Sequence, residues 1–246
     1  MLSSLLDFTH DSGACGGVPP TANEIGRAVS EIGIVGGTGP AGMALARRLG
    51  SLGHSVRVGS RSIERAREAV EVGASGAAGL LPSTNEEAAS AAMVVMATPW
   101  DSAPAVAREL SDLLAHKVVI SMANALVKVG KSIEPVNVAR GSAAQALQAA
   151  LPQSYIVGAL HHVPAKELGE VTHALEADIL ICGDHAEAKL AVGELFRGIE
   201  GARVFDAGTL SSAGAIEAMT AVLVNLNIRY RTRSAIRITG IEDQPL

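Results

Sequence analysis

Aromatic side chains are scarce in this chain: they make up 2% of 246 residues, against 48% hydrophobic residues overall. A core of this size must then be built from Ala, Val, Leu and Ile, which suits a parallel sheet covered by helices. Cysteine is nearly absent as well. Cys15 and Cys182 lie far apart and fit no metal-ligand spacing, so a reducing cytoplasm is the simplest setting. The net charge of -5 removes any bulk attraction to nucleic acid. No window holds about 18 uninterrupted apolar residues; the most apolar segment, Ala213 to Ile228, is broken by Glu217, Asn225 and Asn227, which argues against a membrane-spanning helix. Also missing are a Ser-His-Asp arrangement, paired carboxylates and a metal-ligating cluster.

What is present is a stretch around which the rest is organised. Ile32-Gly33-Ile34-Val35 reads as a buried parallel strand that stops in glycines, and Met43 to Leu49 has helical character. Gly37, Gly39 and Gly42 have the G-x-G-x-x-G spacing of a dinucleotide-binding turn. In such a turn one glycine makes the tight bend, the next lets the backbone approach a pyrophosphate, and the third lets the helix lie close to the strand. The helix N-terminus offers unpaired N–H groups to the phosphates. The motif is common by chance in a chain with 26 glycines, but the second strand, Ser55 to Val58, follows at βαβ distance.

The end of that second strand selects the cofactor. NAD sites carry Asp or Glu about twenty residues past the glycines, to hold the ribose hydroxyls. Here stand Gly59-Ser60-Arg61-Ser62, with no carboxylate before Glu64. A hydroxyl and a guanidinium suit a 2′-phosphate, and Arg65 falls one helical turn after Arg61. The expected cofactor is NADP(H), the other reading being a solvated basic helix start.

Further along, helices are expected over Ile63–Val72, Asn85–Ala91, Asp101–Leu114 and Ser142–Ala150, with strands at Leu80-Leu81, Met93–Ala97, Lys117–Ser121 and Tyr155–Val157. Strand and helix alternate to about residue 160, the pattern of a doubly wound sheet with all strand ends on one rim. Thr98-Pro99-Trp100 should border the cofactor, although the lone tryptophan could equally be a packing residue. Past residue 160 the pattern changes: a strand at Asp178–Cys182, a helix from His185 to Phe196, a short strand at Ala202–Phe205, then a long helix. In that helix Ile216, Met219, Leu223, Leu226 and Tyr230 form one apolar stripe. Arg229, Arg231, Arg233 and Arg237 crowd its end, as cations placed at a helix C-terminus or as a docking patch for an anionic substrate. Residues 1–30 are rich in glycine and proline, lack a basic signal region, and are expected to be a flexible extension.

Taken together, Gly36-Gly37-Thr38-Gly39, Gly53-His54, Val58-Gly59-Ser60-Arg61, Pro99-Trp100, Leu160-His161, Pro164-Ala165, Cys182-Gly183-Asp184 and Asp206-Ala207-Gly208 resemble the NADPH-dependent coenzyme F-420 (F420) reductases, from about residue 31 to the C-terminus. The resemblance implies an α/β fold: a Rossmann-like, mostly parallel NADP-binding domain over residues 31–160 and a smaller C-terminal α+β domain over 161–246, with a deazaflavin site in the cleft between them. It implies that Thr38, Gly39, Pro40 and Ala41 contact the nucleotide, that Ser60, Arg61 and Arg65 hold the 2′-phosphate, and that Thr98, Trp100 and Leu126 line the nucleotide path. His161, Val163, Pro164 and Ala165 would border the nicotinamide and the deazaflavin, with His161 polarising the pyrimidine edge; the alternative for His161 is a core histidine that orients its loop. It also implies a homodimer. No metal is expected at His161-His162, since neighbours on a strand point to opposite faces. The chain departs from the pattern at Arg65 and His162. Rival readings are an NADP-dependent imine or hydroxyacid reductase, which needs a lysine or other acid on the long helix, where Glu217 is the only ionisable residue from Ser211 to Ile228, and a non-catalytic NADP(H) sensor.

Overall fold

The structure, a computed structural model, describes residues 31–73 and 76–241. The expected N-terminal extension lies outside the described residues.

The glycine-rich stretch folds as β1 (Glu31–Val35), a turn and α1 (Pro40–Ser51), followed by β2 (Ser55–Ser60), α2 (Ile63–Gly73) and β3 (Leu80–Thr84). Then come α3 (Asn85–Ala89), β4 (Met93–Met96), α4 (Ala103–Glu109), α5 (Ser111–Leu114) and β5 (Val118–Ser121). A hairpin of β6 (Leu126–Val129) and β7 (Ser132–Pro135) precedes α6 (Ala143–Ala150) and β8 (Tyr155–Gly158). The chain continues through α7 (Ala165–Gly169), β9 (Asp178–Gly183), α8 (Ala186–Arg197), β10 (Arg203–Asp206) and α9 (Ala213–Tyr230).

β1 to β5 and β8 to β10 form one eight-stranded sheet in the order β10-β9-β8-β5-β4-β1-β2-β3. Every neighbouring pair is parallel except β8–β9. The fold is α/β, Rossmann-like and mostly parallel. The strands after residue 160 extend the same sheet rather than forming a separate one. Periodicity could not reveal this, since strand pairing is a long-range property.

Both faces of the sheet are buried, which is why its central strands read as unbroken apolar runs. Ile32, Ile34, Met93, Val95, Val118, Ile120, Tyr155 and Val157 pack on one side with α1 and α8. Val35, Val94, Met96, Val119 and Ile156 pack on the other with α3 to α6. Gly33 fits this second face by necessity: a Cβ there would lie 1.8 Å from the Ala88 carbonyl oxygen of α3.

Several expectations are corrected. The helix expected over Asp101–Leu114 is two helices that meet at Leu110. The β6–β7 hairpin was not anticipated. Its inner edge is pinned to α9 by Asn225, whose amide accepts from Ile133 N and donates to Ile133 O, both at 2.8 Å. The stripe expected to bury α9 is also not its buried face. Ile216 is buried, but Met219, Leu226 and Tyr230 are exposed, and Glu217, Thr220 and Ala221 face inward instead. The helix is apolar nearly all round, so spacing alone cannot single out a face.

The arginines beyond α9 are largely occupied by the fold. Arg233 pairs with Glu167 at 2.9 Å. Arg237 pairs with Asp178 at 3.1 Å and donates to the Gly201 carbonyl. Asp178 is fully buried and also accepts a bidentate Arg203 at 2.8 and 2.6 Å and the Ile238 N–H. This knot fastens the C-terminal segment to β9.

Candidate functional site

In a doubly wound sheet the crevice forms beyond the carboxyl ends of the strands, where the strand order reverses. Here β1 has β2 on one side and β4 on the other, so the reversal lies between β1 and β4. A cleft of 590 Å³ opens at that rim, within the range of about 300–1,000 Å³ usual for ligand pockets. It is lined by Gly36, Thr38, Gly39, Pro40 and Ala41 after β1, Ser60 at the end of β2 with Arg61 and Arg65 beyond it, Asn85 after β3, Thr98 and Trp100 after β4, and Met122 to Asn124 after β5.

The glycines divide the work differently from the simple expectation. The bend with positive φ is at Gly36, one residue ahead of the motif. Gly37 does not line the cleft: it is buried, and its N–H donates to the Ile34 and Gly59 carbonyls at 3.1 and 2.8 Å. Gly39 caps α1 from an extended conformation with no side-chain cap, and Pro40 takes the first helical turn, where a missing N–H costs nothing. Gly42 has the expected role, since a Cβ there would lie 2.8 Å from Gly37 Cα. Asn85, which sequence reasoning missed, accepts from Gly36 N at 3.1 Å and so braces the turn.

At the β2 end Ser60 is buried, and Arg61 and Arg65 are exposed along the cleft wall. The nearest carboxylate, Glu64, is bonded to the Ser62 hydroxyl at 2.7 Å, and neither residue lines the cleft. This set fits a phosphate on the adenosine ribose, and the cleft lining brings no carboxylate to the ribose hydroxyls.

A second cavity of 280 Å³ adjoins the first, and Ala41, Met122 and Asn124 line both. Its walls carry Leu126, the run from Leu160 to Ala165, and Thr220, Leu223, Val224 and Asn227 of α9. Leu126, expected along the nucleotide path, stands on this second cavity together with His161, Val163, Pro164 and Ala165, expected beside the nicotinamide and the deazaflavin.

The bend that delivers His161 is a left-handed residue, Leu160, at φ 62. Such a conformation in a bulky side chain costs of order 1–3 kcal/mol. His161 and His162 therefore sit in a turn beyond β8, not on a strand. The His161 carbonyl accepts from Asn124 Nδ2 at 2.8 Å and from Thr220 Oγ1 at 3.0 Å. Gly158 leaves room for the ring, since a Cβ there would lie 2.9 Å from His161 Cε1. The neighbouring His162 has its Nε2 2.8 Å from the Asp178 carbonyl. Burial, reinforced by His162, holds the His161 pKa down to about 3, so its imidazole is neutral at pH 6–8. Both His161 nitrogens, Asn124 Oδ1 and Thr98 Oγ1 are buried without a hydrogen-bond partner among the described residues. Buried polar groups are seldom left so. Gathered along the two adjoining cavities, they fit a ligand that brings polar groups of its own.

Glu217 does not face this space. Its carboxylate accepts from Ala143 N at 2.9 Å and Ala144 N at 3.1 Å, capping α6 from behind, and burial raises its pKa. The α9 residues that do line the second cavity include no acid. Among the described residues no group of three His, Cys, Asp or Glu is placed to hold a metal.

The family described as NADP oxidoreductase, coenzyme F420-dependent, matches residues 31–125. The F420-dependent NADP reductase of Methanothermobacter thermautotrophicus is 32% identical over 229 residues, which span 88% of this chain and 97% of that one. The chain belongs to the F420-dependent NADP reductase family. The family's member from Methanocaldococcus jannaschii is 32% identical over 225 residues, 86% of this chain and 99% of its own. Among solved structures, a candidate F420-dependent NADP reductase from Arthrobacter sp. FB24 superposes with a TM-score of 0.74 at 22% identity, covering 85% of this chain and 99% of that one. An imine reductase of Bacillus cereus BAG3X2 shares the fold at a TM-score of 0.56 and 20% identity, over 80% of this chain and 60% of its own.

If Arg61 reads a 2′-phosphate, a charged hydrogen-bonded contact of roughly 1.5–3 kcal/mol is lost with it. Arg61→Ala is then expected to weaken NADPH binding by about one to two orders of magnitude and to leave NADH binding nearly unchanged in fluorescence titration. Equal losses for both nucleotides would contradict the assignment.

Proposed function

We propose that this protein transfers a hydride between NADP(H) and the deazaflavin coenzyme F420. The observation that carries the reading is the pair of adjoining cavities. One is lined by the glycine turn and the Ser60–Arg61–Arg65 set; the other is bounded by the His161 loop and the uncharged side of α9. When bound, the two cofactors supply the chemistry themselves by direct hydride transfer between their rings. The polypeptide's tasks are then to hold, align and exclude water.

In this reading Thr38, Gly39, Pro40 and Ala41 receive the pyrophosphate at the start of α1, and Gly37 supports them from beneath. Ser60, Arg61 and Arg65 hold the 2′-phosphate. Thr98 and Trp100 flank the nucleotide, whose path continues past Leu126 and Ala165. His161, Val163 and Pro164 face the deazaflavin. His161, being neutral, offers a hydrogen bond to the ring edge without changing the charge of the site. Lys166, Arg229 and Arg231 remain to attract the anionic tail, since Arg233 and Arg237 are held in ion pairs. Residues 31–160 form the nucleotide-holding unit, and the later residues close the second cavity. With a net charge of -5 and soluble cofactors, the setting is the cytoplasm, without nucleic-acid partners.

The same reading includes a homodimer. Met219, Val222, Leu226 and Tyr230 form an exposed apolar stripe on α9, with Val222 57% and Tyr230 68% exposed. Helices apolar all round are generally buried. A second copy of this chain covers the stripe.

Mixing the protein with NADPH and oxidised F420 is expected to bleach the deazaflavin's visible absorbance rapidly, with NADH a far poorer donor. Tight NADPH binding without bleaching, alongside reduction of a cyclic imine or oxidation of a hydroxyacid, would move the assignment to the rival enzyme. In sedimentation, the wild type should run at twice the 25.1 kDa chain mass, and Val222→Asp at the chain mass. A monomeric wild type would remove the dimer.

A further inference from the structure

We infer that Arg48 is a positioning residue that sets the wall of the second cavity from the nucleotide-binding helix, an inference that rests on the hydride-transfer reading above. Arg48 lies in the last turn of α1 and is only 4% exposed. Its guanidinium is spread over main-chain carbonyls at the end of α7 and in the loop after it. Nε donates to Leu168 O at 2.8 Å, Nη1 to His173 O at 3.2 Å, and Nη2 to Glu167 O at 3.1 Å and Glu170 O at 2.7 Å. Glu167 O and Glu170 O also accept from Glu170 N at 3.3 Å and His173 N at 3.4 Å, so the guanidinium shares them with the backbone bonds of the turn. α7 has five residues, too few to be stable alone, so its place is set by what it rests on.

The second support lies beside the first. Gly169 sits directly on α1, where a Cβ would come 3.1 Å from Ala44 Cβ and 3.2 Å from Ala44 Cα. One helix thus serves both cavities. Its first residues, Pro40 and Ala41, line the nucleotide cleft, and Arg48, about 12 Å further along the axis, holds the segment whose Pro164, Ala165 and Leu168 line the second cavity. The guanidinium touches neither cavity. It acts through α7, by fixing how far that wall stands from the nucleotide.

Misplacement by about 1 Å can cost about 10²-fold in rate. Lysine keeps the charge but cannot span these carbonyls from one ammonium. Arg48→Lys is therefore expected to lower kcat/KM for F420 at least about tenfold while the NADPH Kd stays within about twofold of wild type. Gly169→Ala disturbs the same seat from the other side without touching the arginine, and should give the same split. Because both act on one contact, the double variant should fall short of the product of the two losses. Wild-type kcat/KM in either variant, parallel losses in NADPH and F420 parameters, or fully multiplicative effects would each overturn the inference. Failure of the wild type to reduce F420 would instead overturn the reading beneath it, and the inference with it.

Discussion

The structure depends on how closely α1 can approach the sheet. Gly42 must meet Gly37 without a side chain between them, and Gly36 must take a left-handed bend. Those requirements bring a helix N-terminus to the rim where the strand order reverses between β1 and β4. A partial positive charge and free N–H groups then face the crevice that the topology opens there. The remainder of the site is arranged around that point: Asn85 bonded to the turn, Ser60 and the arginines at the far end, Asn124 and His161 at the near end.

The near end is built from neutral groups. His161 is fixed through its carbonyl, by Asn124 and Thr220, and its ring makes no hydrogen bond among the described residues. Its lowered pKa follows from burial and has a consequence for the fold. Below the unfolded value near 6.5 the unfolded chain binds a proton that the folded chain refuses, so this residue lowers stability as pH falls from that value toward about 3. The one carboxylate facing inward from α9, Glu217, is committed to the N-terminus of α6. What remains beside the second cavity is a shaped, mostly apolar wall with a few oriented dipoles. Such a wall suits a reaction whose reactive groups arrive with the cofactors.

Much of this could be read from local sequence. The glycine turn, the Ser60-Arg61 pair and the strand ends at Thr98, Met122 and Leu160 occupy the stretches that spacing and composition indicate. These are short-range features in which a few neighbouring residues dictate the backbone. What stayed hidden depends on contacts between distant residues. Arg48 and Leu168 are 120 positions apart, and an arginine in a helix has no sequence mark that says it will bind carbonyls. Asn225 and the hairpin it pins are 92 apart. Residues after 160 carry strand patterns, yet their place in the same sheet rests on the β8–β9 pairing alone. The buried face of α9 escaped for another reason: apolar residues surround the helix, and only tertiary packing decides which of them are covered.

The central claim is that this chain places two flat redox rings together and keeps water away from them. Isotope transfer tests it most directly: supply NADPH deuterated at one face of nicotinamide C4, run the reaction in ordinary water, and determine the label in reduced F420. The account predicts that deuterium from one face only arrives on the deazaflavin's central ring and is fully retained. Label washed out to solvent, or drawn equally from both faces, would contradict it.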